Sequence, residues 1–300
     1  MNTFLYIVTV LVWGTSWIAI SLQNGSVDSV VSIFYRFGLA SVLLLPFLYF
    51  TGRLEKSCLR DHFWFFLQGC CLFCFNFICF YKASQHMPSG LLSIVFSMAI
   101  FYNALNNKVF WGVSPSRSVY GAGVLGVIGL VLLFWQELQQ TEASSSLLYG
   151  IGLSALGTFG FSLGNMITVR HKKNNINPLT STAYGMSYGT VTLLVIITVT
   201  QTPITWSDTP SYMYSLVYLS VFASIIGFTA YLSLVNRIGA NQAAYATVLF
   251  PVIALALSSI YEGYTWGVLN SLGLVLVLLG NAVAMNLLCW RSTGVMARST

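Results

Sequence analysis

The sequence predicts an all-α integral membrane protein with ten transmembrane helices in two inverted five-helix repeats. Three observations lead there. Hydrophobic residues make up 56% of the 300 residues and charged residues only 7%, where soluble domains carry roughly 25% charge. Mean hydropathy is +0.77, and a soluble surface cannot be built from so few charges. The apolar residues fall into ten runs of about the 20 residues that cross a bilayer. A polar stretch, Gln139–Ser146, leaves five runs on each side. Five is odd, so the second half enters the membrane with opposite polarity. The same composition excludes disordered chains and secreted disulfide frameworks. Continuous apolar runs, rather than alternating segments of about ten residues, exclude a β-barrel.

The runs are 3–22, 29–50, 63–82, 90–110, 118–136, 148–169, 179–200, 212–235, 241–261 and 264–288. The first has no basic region before it and no small-residue cleavage site, so it is expected to stay as a span rather than act as a signal peptide. The second holds a charge, Arg36, and the third holds Cys70, Cys71, Cys74 and Cys79. Asn103 and Asn107 share one face of the fourth at i,i+4, as Tyr184 and Tyr188 do in the seventh. The fifth, sixth and seventh contain closely spaced glycines. The ninth and tenth repeat the hydropathy of the fourth and fifth: residues 88–135 lie over 240–287 without a gap, placing Ala104 on Ala256 and Gly121 on Gly273. The expected domains are therefore residues 1–146 and 147–300.

Short connections make consecutive spans antiparallel. Ten spans then put both termini on one side, with Arg53, Lys56, Arg60, Lys108, Arg117, Arg170, Lys172, Lys173, Arg237, Arg291 and Arg298. The other side has Lys82 alone among the basic residues. Lys and Arg accumulate on the cytoplasmic side, so both termini are expected there, in a membrane that would be the inner membrane of a bacterium. The net charge of +6 is thus an orientation signal, and no nucleic-acid partner is expected.

Several motifs match chemistry that their context denies. Gly121-Ala122-Gly123-Val124-Leu125-Gly126 has the dinucleotide spacing, but lies in an apolar helix without the strand that spacing needs. It reads as close helix packing, as do Gly160 with Gly164 and Gly185 with Gly189. Gly185-Met186-Ser187-Tyr188-Gly189 has the nucleophile-elbow spacing without a strand, an acid or a histidine to serve it. Cys70 and Cys74 share a face with His62 two turns earlier, yet a fourth metal ligand is missing. No catalytic residue, metal or cofactor is expected.

Arg36 lies about seven residues into its span, roughly 10 Å deep. Burying a charge in the bilayer costs at least about 2.5–3.5 kcal/mol at its centre, so such a residue normally faces the protein interior. It grips a substrate carboxylate with its planar fork, ties helix-end carbonyls or hydroxyls, or snorkels to the outer interface. Trp13, Trp17, Asn76, Asn103, Asn165, Tyr184, Tyr188, Tyr231 and Tyr245 are the further candidates for lining a substrate cavity. No Asp or Glu lies deep in a span, which favours facilitated transport over obligatory proton coupling.

Leu11-Val12-Trp13-Gly14-Thr15-Ser16-Trp17 resembles the opening helix of EamA-type members of the drug/metabolite transporter superfamily. Tyr35-Arg36-Phe37-Gly38-Leu39-Ala40 resembles their second helix. Ile238-Gly239-Ala240, Phe250-Pro251, Gly273 and Gly280 resemble their last two. The family usually carries Leu-Gly-Glu where the fourth and ninth helices end; here those places read Trp111-Gly112-Val113 and Tyr261-Glu262-Gly263. The resemblance implies ten helices in inverted repeats that move small metabolites, often amino acids, outward. The expected function is secondary export of such a small-molecule substrate across the lipid bilayer. The alternatives are efflux of lipophilic or cationic compounds and a membrane scaffold without transport. Assembly into a homo-oligomer is left open.

Overall fold

The structure is a computed structural model that describes residues 2–284, except 26, 116, 136–140, 245, 265 and 266. Ten helical rods are found among the described residues. They are α1 Asn2–Ser21, α2 Ser29–Phe50, α3 Leu59–Ala83, α4 Ser89–Trp111 and α5 Arg117–Leu133. After them come α6 Thr141–Lys173, α7 Pro178–Val199, α8 Pro210–Ile238, α9 Ala246–Tyr261 and α10 Val268–Ala284. Seven are long and apolar enough to cross a membrane; α5, α9 and α10 contain shorter apolar helices. The rods coincide with the ten apolar runs. The largest difference is α6, which starts at Thr141 rather than 148 and ends at Lys173 rather than 169. Hydropathy registers only the apolar middle, and polar residues carry the helix past it.

Local signals set several ends. Asp28 caps α2 by accepting from the Val30 N–H at 2.7 Å, and Asn177 caps α7 in the same way at Leu179, 2.9 Å, with Pro178 at the first helical position. Gly112 closes α4 in the left-handed region at φ 70°, where a side chain would be strained.

Two helices depart from α geometry where the apolar pattern gives no hint of it. Cys70–Phe75 in α3 and Leu219–Phe228 in α8 are π-helical. Such wider turns are frequent at functional sites.

Helices pack in reciprocal fashion. α1 lies against α8 and α9, α6 against α3 and α4, α3 against α7, and α8 against α2. α2 packs on α7, α4 on α9 and α5 on α10. Glycines let backbones touch at several of these crossings. A Cβ at Gly273 in α10 would fall 2.6 Å from the Gly129 carbonyl oxygen of α5, and one at Gly280 would fall 2.8 Å from that of Ala122. Gly69 of α3 lies as close to Gly185 and Gly189 of α7. The dinucleotide-like and elbow-like spacings are thus helix-packing surfaces.

The two ends of the bundle are tied by different chemistry. At the end rich in basic residues, Arg170 pairs with Asp61 at 3.0 Å, Lys172 donates to the Arg237 carbonyl at 3.2 Å, and Glu55 accepts from the Asn177 N–H at 3.1 Å. At the opposite end, Glu262 after α9 accepts from the Ser89 N–H (3.0 Å), Ser89 Oγ (2.7 Å) and Ser258 Oγ (2.5 Å). This caps α4 and joins it to α9. Gln85 to Ser29 and Tyr81 to Gln23 complete that end.

Candidate functional site

A cavity of about 30 Å³ sits where α1, α2, α3, α4, α6 and α8 converge. It has room for a water or two and no more. Its walls are Trp13, Ser16, Trp17 and Ile20 from α1, Arg36 from α2, Asn76, Phe77 and Phe80 from α3, Phe96 from α4, Phe161 from α6 and Phe228 from α8. Trp13 is the hub, with ring centroids 4.9 Å from Tyr231, 5.0 Å from Phe228 and 5.9 Å from Phe161.

Arg36 is 2% exposed. Its Nε donates to Ser224 Oγ at 2.9 Å, and its guanidinium lies 4.3 Å from the Phe77 ring centroid and 5.1 Å from that of Phe37. The Tyr81 hydroxyl lies beside it. These neighbours are neutral, and Nη1 has no partner. Cation–π contact and one hydroxyl offset only part of the cost of removing this charge from water. Two more lining groups are unpartnered, Trp17 Nε1 and Asn76 Oδ1. The cavity therefore presents two orphaned donors and one orphaned acceptor inside aromatic walls.

Both π-helical stretches border it. The one in α3 ends immediately before Asn76 and Phe77. The one in α8 contains Ser224 and Ala223, whose carbonyl accepts from Trp13 Nε1 at 3.2 Å.

Of the residues expected from sequence, the cavity gathers Trp13, Trp17, Arg36 and Asn76. Asn103, Asn165 and Tyr231 form an adjoining polar layer: Asn165 Nδ2 donates to the Tyr231 hydroxyl at 3.0 Å and to Asn103 Oδ1 at 3.3 Å. Tyr231 joins this layer to the cavity through Trp13 and Phe161. Tyr184 and Tyr188 lie elsewhere, against α3. Tyr184 stacks on Phe65 at 5.3 Å and meets the His62 ring at 4.7 Å, while the Tyr188 hydroxyl sits 3.0 Å from His62 Nδ1. Tyr245 is outside the described residues. Sequence reasoning missed Ser16, Phe77, Phe80, Phe96, Phe161, Ser224 and Phe228. Nothing marks a phenylalanine in an apolar run as cavity lining, and a serine there reads as bonded to its own helix.

Among the described residues the cavity wall holds no nucleophile beside a base. The profile of the EamA-like transporter family matches residues 2–135 and 148–286. The chain belongs to that family. The Bacillus subtilis (strain 168) transporter YyaM is 25% identical over 268 residues, covering 82% of this chain and 81% of its own. A Salmonella typhimurium (strain LT2) protein named "Probable amino-acid metabolite efflux pump" is 23% identical over 288 residues, 92% of each. The Escherichia coli (strain K12) inner membrane transporter YedA is 24% identical over 256 residues, 85% of this chain and 81% of its own. One solved crystal structure superposes with a TM-score of 0.69 at 15% identity, covering 95% of this chain and 97% of the other. This EamA-family chain is an integral membrane transporter and not an enzyme.

Proposed function

We propose that the chain exports small carboxylate-bearing metabolites, amino acids first among them, by alternating access of two inverted halves, residues 1–146 and 147–300. The carrying observation is the set of orphaned groups. Arg36 Nη1 and Trp17 Nε1 suit a carboxylate, Asn76 Oδ1 suits an ammonium, and the rings suit an apolar body, once the helices part to enlarge a cavity that here holds a water or two. The name of the Salmonella relative supports the same substrate class. The packing supports the halves: adding five to each helix number, counted around ten, turns α3–α6 into α8–α1, α4–α6 into α9–α1 and α3–α7 into α8–α2. The third helix of each half carries the π-helical stretch. The distribution of basic residues supports cytoplasmic termini, and the E. coli relative's name supports an inner membrane.

Aromatic walls favour a second substrate class, lipophilic or cationic compounds, against which the Arg36 charge acts.

Efflux from vesicles over a panel of amino acids, with and without a proton gradient, separates these readings. Arg36→Lys keeps the charge and loses the fork. A lost charge-assisted hydrogen bond is worth about 1.5–3 kcal/mol, so the affinity for free acid should fall roughly 10- to 150-fold. Esters and amides should be poor substrates of the parent protein. A well-folded Arg36→Ala that keeps parental affinity refutes the carboxylate role.

A further inference from the structure

We propose that a groove on the side of the bundle, between α3, α4 and α6 at the basic end, holds one acyl chain of an anionic phospholipid with its phosphate at Arg60 and Arg170. The inference rests on the membrane location and is independent of what the central cavity carries. The groove encloses about 490 Å³. Leu67, Cys71, Phe110 and Leu163 make its walls apolar along their length, while Arg60, Arg170 and Asn174 line one end. From Arg60 to Cys71 the helix rises about 16 Å, close to half of the ~30 Å hydrocarbon core and so to the depth of one leaflet. Two tryptophans fix the level of that end. The Arg170 guanidinium lies 5.2 Å from the Trp64 ring centroid, and the Lys173 ammonium 3.6 Å from that of Trp111. Trp beside Lys and Arg marks the headgroup region.

The charge at that end is in excess. Asp61 is compensated by Arg170 Nη1, and the other guanidinium donors of Arg170 remain available. Arg60 is exposed and has no ion-pair partner among the described residues. Arg60 and the remaining donors of Arg170 thus face an apolar slot of leaflet depth, with Lys173 against Trp111 at the same end. An anionic lipid meets both needs at once, where a soluble anion would leave the slot unfilled and a zwitterionic lipid, whose phosphate is offset by its own ammonium, would leave the excess positive charge uncancelled.

The test is native mass spectrometry of the detergent-purified protein titrated with dioleoylphosphatidylglycerol, dioleoylphosphatidylcholine or glycerol phosphate. Phosphatidylglycerol should be retained at least about fivefold more tightly than phosphatidylcholine. Arg60→Gln should remove about fivefold of that affinity and leave phosphatidylcholine unchanged. Lys56→Gln, an exposed cation of the same end that does not line the groove, should change neither. Leu163→Trp should fill the slot and exclude both lipids; Arg60→Gln, at an exposed position, carries the test if that variant does not fold. Equal retention of the two lipids overturns the proposal. So does an equal loss in Lys56→Gln and Arg60→Gln, which would mean diffuse surface charge. Competition by glycerol phosphate at the concentration of the lipid would make this a phosphate site and not a lipid site.

Discussion

Among the described residues Glu262 is the acid that clasps α4 to α9 at the end opposite the basic residues, and its removal should open that end. Glu262→Ala deletes three hydrogen bonds, from the Ser89 N–H, Ser89 Oγ and Ser258 Oγ. A hydrogen bond to a charged group contributes about 1.5–3 kcal/mol when it is shielded from water. Glu262 is exposed, so water re-bonds what is released. The three together are then worth about 1–3 kcal/mol, which shifts a closed-to-open equilibrium roughly 5- to 150-fold. The reporter is Ser93→Cys, in a background with the native cysteines replaced. Ser93 lies one turn below Ser89 in α4 and is fully buried, so a membrane-impermeant maleimide reaches it only when α4 parts from the helices packed on it. Its labelling rate should rise 5- to 150-fold in Glu262→Ala and by less in Glu262→Gln, which keeps one acceptor oxygen. An unchanged labelling rate in a folded Glu262→Ala refutes the clasp. So does a rise accompanied by loss of folded yield, which would report global loosening.

Gly164→Leu should be strongly destabilising, because even a Cβ at that position would fall 2.3 Å from Leu72 Cγ; overpacking of this kind costs about 1–3 kcal/mol or more. Gly121→Ala, where a Cβ meets nothing within 4 Å, should leave the detergent melting temperature unchanged, and the pair of melting curves checks both. For orientation, a reporter enzyme fused after Thr300 should be active only if it is cytoplasmic, and a cysteine placed at Ser144 should label from outside. The opposite pattern reverses the placement of the termini.

The helices were legible because a bilayer imposes one demand, about 20 apolar residues; seven of the ten runs form helices that meet it among the described residues, and the other three form shorter apolar ones. Arg36 was legible for the same reason: a charge inside such a run cannot face lipid. Its surroundings were not. Ser224 is 188 positions away in sequence, and its role depends on a π-helical turn that leaves hydropathy unaltered. Tyr184 and Tyr188 do share a face, as their spacing requires, but that face meets His62 and Phe65 rather than the cavity. Periodicity tells which residues of a helix look the same way; it does not tell which neighbour they see. The ends of α6 were hidden because polar residues at both ends extend the helix without adding to its apolar signal.

The neutrality of Arg36's neighbours has an electrical consequence. A guanidinium held by a serine hydroxyl and two phenyl faces keeps its full charge inside the transmembrane field. Under the proposed function, a docked zwitterionic amino acid adds no net charge, so the site carries this charge loaded or empty, whereas a docked simple carboxylate anion would cancel it. A potential of 100 mV acts on one charge with up to about 2.3 kcal/mol, scaled by the fraction of the field it crosses. Membrane voltage therefore bears on any step in which the uncancelled guanidinium moves through the field, and the voltage dependence of the loaded step should separate zwitterionic from anionic substrates.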